Sequence, residues 1–367
     1  LAPRAVVVAG RDGGDGDAVA TFARRAGYPV LADPLSGARR GPTAIATYDL
    51  LLRDRAFTAA VEPELVIRIG DLPTSKPLRG WLGSLGHVEQ VALHPEASWQ
   101  DPAAVLSAIH LVDPAATLAA WPAPDPPDPD WLAAWQAADA VVARTIDREL
   151  ACDELSEPRV ARLLGEALPG ETILVVASSM PIRDVELYLP AAGHLPRVVS
   201  NRGANGIDGS VSTAFGIAAA SPGRPVVLLI GDVALAHDIG GLMTARRLGL
   251  PLTIVLVNND GGGIFHFLPV SGQVDGFEEH IATPHGLEFE HAATLYGLGY
   301  ARVESADELA AALQDDHGDR GARIVEVRTD RAANLALHRR VADAALAALH
   351  RSAAGVTPPA AATSPGA

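Results

Sequence analysis

Cysteine occurs once in the 367 residues, at Cys152, which excludes an intramolecular disulfide and a cysteine-built zinc cluster and fits a reducing compartment. Long apolar runs are missing too. The longest, residues 226–230 and 254–257, are far too short to cross a bilayer and read as buried strands. Basic residues are outnumbered: 29 Lys and Arg face 44 Asp and Glu, a formal net charge of −15. That surplus repels phosphate backbones and argues against a general nucleic-acid binder. The chain opens without Met and without a signal peptide, Leu1-Ala2-Pro3-Arg4-Ala5-Val6-Val7-Val8 passing almost directly into a strand pattern, so a chain that begins mid-protein is expected. No repeat of solenoid spacing stands out. What is abundant is apolar matter, 48% of residues against 20% charged, enough for a sizeable core and, at this length, two or three domains.

Short apolar runs alternate with helical stretches along the chain. In the first half, strands are expected at 5–9, 28–31, 65–69 and 87–93 and helices at 17–26, 44–52 and 131–149. That alternation argues for parallel βαβ units. Pro122-Ala123-Pro124-Asp125-Pro126-Pro127-Asp128-Pro129 cannot be regular structure, because proline removes donors and fixes φ. A boundary falls near 150–156, where Ser156 can cap a helix with Glu157 and Pro158 in its first turn. Beyond it, strands at 173–177, 197–200, 226–230, 252–257 and 323–327 include continuously apolar runs, which fits a sheet covered on both faces. Helices are expected near 181–188, 210–220, 238–248, 289–297 and 305–314. The fold class expected is α/β: two doubly wound parallel-sheet domains at 1–150 and 156–350, then a disordered Ala-, Pro-, Ser- and Gly-rich tail at 351–367.

Two strand ends carry the chemistry. Val226-Val227-Leu228-Leu229-Ile230-Gly231-Asp232 finishes on a carboxylate, at the edge where open α/β sheets bind ligands. The next strand finishes in Asn258-Asn259-Asp260-Gly261-Gly262-Gly263. The 27 positions from Asp232 to Asn259 accommodate one crossover helix between parallel strands, which brings both residues to the same edge. A carboxylate, an amide oxygen and a glycine carbonyl are hard ligands suited to Mg²⁺ or Ca²⁺, with phosphate oxygens and water completing the shell. Glycines allow close approach of the backbone to a diphosphate, and helix N-termini favour anions. Either piece alone is ordinary turn chemistry; the pair at this spacing is a strong signal.

Gly231-Asp232 followed by Asn258-Asn259 resembles the thiamine-diphosphate motif, with Val233 in place of its usual third glycine. Three further stretches narrow the likeness: Ser178-Ser179-Met180-Pro181-Ile182-Arg183, Ser200-Asn201-Arg202-Gly203-Ala204-Asn205-Gly206-Ile207-Asp208-Gly209 and Gly262-Gly263-Ile264-Phe265. Together they resemble the MenD family, 2-succinyl-5-enolpyruvyl-6-hydroxy-3-cyclohexene-1-carboxylate synthase. The likeness is clear over 173–330 and weaker over 1–150, where Pro34-Leu35-Ser36-Gly37-Ala38-Arg39 belongs to it.

The resemblance implies that Asp232, Asn259 and the Gly261 carbonyl hold Mg²⁺, or Mn²⁺ in its place, against the diphosphate of thiamine diphosphate, with Gly231, Val233, Ala234, Gly262 and Gly263 around it. It implies Ile207 as the apolar wedge beneath the cofactor, Arg183 and Arg202 on substrate carboxylates, Ser179 bonded to the substrate, and Ile264, Phe265 and Leu268 lining the pocket. Lys76 falls near a basic position of the family's middle domain, and Ala234 stands where relatives often carry a hydroxyl. The implied reaction is decarboxylation of 2-oxoglutarate and addition of the succinyl-semialdehyde carbanion to isochorismate, in menaquinone biosynthesis. The setting implied is a cytoplasmic homodimer or homotetramer, with no nucleic acid and no membrane insertion. In that family the activating glutamate sits in an N-terminal pyrimidine-binding domain that precedes the part resembled here. The chain is therefore expected to be the C-terminal two-thirds of a synthase, with weak or no turnover alone. Two alternatives stand beside it: another thiamine-diphosphate decarboxylase or carboligase, such as an acetolactate-synthase-like protein, and a non-catalytic cofactor-binding module that needs a partner chain.

Other features read more plainly. Gly10-Arg11-Asp12-Gly13-Gly14-Asp15-Gly16 does not match Gly-x-Gly-x-x-Gly and carries no P-loop lysine, so it is a turn. His237, His266, His280, His285 and His291 lack metal-ligand spacing and read mostly as solvated or local hydrogen-bonding groups, with His266 able to face the pocket. Trp81, Trp99, Trp121, Trp131 and Trp135 read as packing.

Overall fold

The computed structural model describes residues 2–96, 100–123, 128–152, 154–314 and 321–354. Its first half runs β1 (Ala5–Ala9), α1 (Gly16–Ala26), β2 (Val30–Ala32), α2 (Tyr48–Leu51), α3 (Arg55–Ala60), β3 (Leu65–Ile69), α4 (Lys76–Ser84), β4 (Glu89–His94), β5 (Ala108–Leu111), α5 (Pro114–Ala120) and α6 (Pro129–Glu149). The strands form a parallel sheet in the order β2-β1-β3-β4-β5. The second half runs α7 (Glu157–Ala167), β6 (Ile173–Val176), α8 (Met180–Tyr188), β7 (Arg197–Val199), α9 (Ser210–Ala220), β8 (Val226–Gly231), α10 (Asp232–His237), α11 (Met243–Leu248), β9 (Leu252–Asn258), α12 (Phe289–Tyr296), β10 (Gly299–Val303), α13 (Ala306–Gln314), β11 (Ala322–Arg328) and α14 (Arg331–Ala354). Its sheet is also parallel, ordered β10-β11-β9-β8-β6-β7.

Strand pleat decides which side chains meet. Val6 and Val8 of β1, together with Leu174, Val176, Val227, Leu229, Val255 and Val257 of the second sheet, belong to one buried cluster that fills the space between the two sheets. Their alternate neighbours face outward into separate clusters: Ala5, Val7 and Ala9 under α1, and Ile173, Val175, Leu228 and Ile254 under α9. Both sheets are therefore covered on both faces, as the continuous apolar runs require. Local signals start the helices as expected: Asp15 caps α1 by accepting from Asp17 N, and Ser156 caps α7 by accepting from Arg159 N at 3.3 Å.

Several expectations need correction. The helix expected over 44–52 is confined to α2, because Ala44 instead pairs as a bridge with Val30. The one expected over 238–248 becomes a 3₁₀ turn at Ile239–Leu242, which holds Gly240-Gly241, followed by α11, and the short α10 before it was not expected. Pro129 opens α6 rather than ending an irregular run, as its fixed φ and absent donor suit a first helical turn. The 24-residue α14 was not anticipated, and it carries helix into the expected tail as far as Ala354. Residues 355–367 of that tail, residues 124–127 and Trp99 lie outside the described residues. Trp81, Trp131 and Trp135 pack edge to face within the buried core.

Candidate active site

The second sheet reverses its strand order at β6, with β7 on one side and β8 then β9 on the other. Parallel sheets bind ligands at the carboxyl ends of strands beside such a reversal. There a cavity of about 140 Å³ is walled by Ser178 and Ser179 after β6, Gly231 and Asp232 after β8, and Asn259 after β9. Val233, Ala234, Gly261, Gly262, Gly263, Ile264, Phe265 and Ile207 line it as well, so the structure gathers these expected residues around one space.

Asp232 is buried, and its Oδ2 accepts from the backbone N–H of Asn259 at 3.1 Å and of Gly261 at 2.9 Å. The carboxylate thus ties the end of β8 to the loop after β9. Its Oδ1 accepts from Val233 N at 2.7 Å and retains lone-pair capacity. Asn259 Nδ2 donates to Glu157 Oε1 at 2.8 Å, while Asn259 Oδ1 is buried and finds no hydrogen-bond partner among the described residues. Gly261 sits at φ 141°, and a Cβ there would come within 2.4 Å of the Ala282 carbonyl, so the loop closes only on glycine. The Gly261 carbonyl accepts from Gly263 N at 3.0 Å, leaving one lone pair. An orphaned amide oxygen, the freer carboxylate oxygen and this carbonyl make a hard-oxygen set that fits Mg²⁺, which keeps positions for phosphate and water. No cluster of three His, Cys, Asp or Glu side chains able to hold a metal occurs among the described residues.

A second, larger cleft adjoins it. Ser179 precedes α8 at φ 77°, ψ −134°, a conformation that costs a non-glycine residue about 1–3 kcal/mol and that recurs at functional sites. Arg183 Nη1 reaches back to the Ser179 carbonyl at 2.6 Å. Arg183 and Lys76 line a cleft of about 930 Å³ between the two halves of the chain, and Ile264 borders both cleft and cavity. Arg202, expected at the site, lines neither that cavity nor that cleft; burial first and then the charge of Arg183 lower its pKa, against Asp33, with smaller contributions from Arg79 and Arg11. Leu268 lies on the cleft rather than the cavity. His266 faces neither: its Nε2 is 2.9 Å from Glu278 Oε1 and its ring packs edge-on against Phe277.

Five site residues had escaped sequence reasoning. Glu157 and Asp184 are buried carboxyls that line the cavity. Burial first, and then the charge of Asp184, push Glu157 up to about 8. Asp184 is also raised by burial and lies 3.0 Å from His338 Nε2 on α14. His285, read as a solvated or local group, has Nε2 3.2 Å from Asp232 Oδ2, without hydrogen-bond geometry. Arg331, the first residue of α14, donates from Nη1 to the Asn259 and Asp260 carbonyls and from Nη2 to Glu278 Oε2 at 2.9 Å. Asp184 had a signal in standing next to Arg183 and His285 in following the glycine loop after β9, whereas Glu157 and Arg331 reach the site from α7 and α14.

Known proteins match this chain in two consecutive blocks. A family model described as the middle domain of thiamine pyrophosphate enzymes covers residues 2–176, and one described as the thiamine pyrophosphate enzyme C-terminal TPP binding domain covers residues 186–327. Over both blocks the chain is similar to the thiamine pyrophosphate enzymes. A solved structure from Mycobacterium smegmatis, assigned to the thiamin diphosphate-dependent enzymes, shares the fold with a TM-score of 0.61 over 90% of this chain and 62% of its own, at 22% identity. Its sequence is also similar to 2-succinyl-5-enolpyruvyl-6-hydroxy-3-cyclohexene-1-carboxylate synthases. That of Chloroflexus aurantiacus is 40% identical over 353 residues, 92% of this chain and 59% of that protein. Those of Rubrobacter xylanophilus and Myxococcus xanthus are each 43% identical over 92% of this chain, which covers 60% and 59% of their lengths. The chain thus spans about 60% of the length of the curated relatives it matches. Among the described residues no helix is long and apolar enough to cross a membrane.

Proposed function

We propose that this chain supplies the metal–diphosphate site and substrate-carboxylate groups of a 2-succinyl-5-enolpyruvyl-6-hydroxy-3-cyclohexene-1-carboxylate synthase. In that reaction 2-oxoglutarate is decarboxylated and the remaining four-carbon unit is joined to isochorismate, in menaquinone biosynthesis. The observation that carries the reading is the orphaned buried oxygen of Asn259 beside Asp232 at the strand-order reversal, in a chain 40–43% identical to such synthases. Thiamine diphosphate, when bound, supplies a nucleophilic carbon and an electron sink for loss of CO₂.

The chain's own residues hold and orient. Asp232, Asn259 and the Gly261 carbonyl are assigned to Mg²⁺, with Mn²⁺ as substitute, and Gly262 and Gly263 to the diphosphate. Ile207 supports the cofactor from below. Arg183, Arg202 and Lys76 concentrate positive charge for anionic substrates in a protein whose net charge is −15, and the guanidinium fork matches a carboxylate. Ser179 hydrogen-bonds the substrate. Residues 1–150 form the middle domain and 156–350 the cofactor domain. Because the chain covers about 60% of its relatives' length, full turnover requires the remainder, on the same polypeptide or in trans, within a cytoplasmic homodimer or homotetramer.

Calorimetric titration of thiamine diphosphate tests the reading. Heat is expected with Mg²⁺ and is expected to vanish on chelation and in Asp232→Ala. Unchanged Mg²⁺-dependent binding by Asp232→Ala would falsify the metal assignment. Supplying the relatives' remaining portion in trans is expected to raise 2-oxoglutarate decarboxylation.

A further inference from the structure

An asparagine offered to a cation has two ends of nearly equal size, of which only the oxygen can ligate. At Asn259 that choice is made from α7, 102 positions away in sequence, where Glu157 Oε1 accepts from Asn259 Nδ2 at 2.8 Å. The same Oε1 accepts from Thr329 Oγ1 at 3.2 Å, so a second donor fixes the acceptor in place. Glu157 is itself 4% exposed and stands in the first turn of α7, directly after its Ser156 cap. On another side of the amide, a Cβ at Gly263 would lie 2.7 Å from Asn259 Nδ2, so the amide fills space that only glycine leaves free. With the nitrogen so engaged, Oδ1 is the end left without a partner among the described residues, in a side chain that walls the cavity.

We propose that Glu157 is a positioning residue for the metal site: its carboxyl oxygen anchors the Asn259 nitrogen and thereby presents the Asn259 oxygen to the cation. The inference rests on the metal reading above and concerns orientation of a ligand, not charge. Partners that orient a metal's ligands typically govern 10- to 100-fold in metal affinity.

The test titrates Mg²⁺ calorimetrically into the full chain at a fixed, saturating concentration of thiamine diphosphate, with a metal-free melting curve reporting the fold. Glu157→Gln keeps a carbonyl oxygen at the acceptor position and is expected to bind Mg²⁺ within about threefold of the wild type. Glu157→Met has similar shape and no oxygen acceptor, and is expected to bind about 10- to 100-fold more weakly while still unfolding cooperatively. Gly263→Ala displaces the same amide without touching Glu157 and is expected to show a comparable loss, which keeps the inference open to judgement should the methionine variant not fold. Wild-type affinity in Glu157→Met, alongside lost binding in Asp232→Ala, overturns the positioning role and spares the metal site. A glutamine variant as weak as the methionine one also overturns it, since charge rather than orientation would then matter. Wild-type affinity in Asp232→Ala overturns the metal reading and this inference with it.

Discussion

Replacing Arg39 by methionine removes the guanidinium that joins the two halves of the chain behind the active site. Arg39 is 2% exposed. Its Nε donates to the Ala32 carbonyl at 3.0 Å, Nη1 to that of Leu189 at 2.7 Å and Nη2 to that of Glu186 at 2.9 Å. The last two carbonyls close the C-terminal end of α8, the helix that carries Arg183, so a charge from the first half caps the dipole of a helix in the second. A hydrogen bond to a charged group contributes about 1.5–3 kcal/mol, and methionine recovers part of the lost packing, so the three together set a cost of about 4 kcal/mol. At roughly 2 °C per kcal/mol for units of this size, the melting temperature falls by about 8 °C. Differential scanning calorimetry measures it. Arg39→Lys is expected to stay close to the methionine variant, because one ammonium on a flexible stem cannot reach three carbonyls set in a fork. A methionine variant melting within about 2 °C of the wild type refutes the bridging role, since a lost set of buried charge-assisted bonds cannot be so nearly neutral.

Other expectations follow from strain and titration. Ser179→Gly relieves the φ 77° conformation and is expected to raise stability by about 1 kcal/mol while weakening substrate binding through the lost hydroxyl; a lower melting temperature refutes the strain. Glu186, 2% exposed, accepts from the Tyr48 hydroxyl, and burial first, then the charge of Asp33 and more weakly of Asp49, push its pKa well above the ordinary 4.5 against the opposing charge of Arg39. A carboxyl whose folded pKa is raised contributes stability that is whole below its unfolded value and is lost as pH rises through the folded one. Glu186→Gln keeps the acceptor and cannot ionise, so its stability is expected to exceed the wild type's near pH 8 and to match it near pH 4. Urea unfolding at both pH values checks this, and a difference independent of pH is the refuting result.

Much of the fold was legible because covalent order and hydrophobic period act locally. The runs that became β8 and β9 are apolar at nearly every position, which only a strand covered on both faces tolerates, and parallel connection then carries Asp232 and Asn259 to one edge. Some of what was missed left a trace. Leu337, Val341, Ala345 and Leu349 of α14 recur every fourth residue and are all buried, a helical stripe diluted by alanine on the other faces. The short α2 shows the opposite error, helix-forming residues overridden where Ala44 pairs with Val30. His266 lay beside the right phenylalanine yet turned to Glu278, a partner no local pattern discloses.

By itself, then, the sequence determined the parallel α/β architecture and the two strand ends that converge on the cavity, since pleat, period and turn chemistry are properties of neighbours in the chain. Only the tertiary structure decided which way the Asn259 amide faces, which carbonyls Arg331 and Arg39 hold, and that Glu157 and Asp184 share the cavity wall. Hydrogen-bond direction and the shifted acidity of a buried carboxyl depend on groups that burial brings together from separate elements of the chain, and no local pattern specifies that meeting.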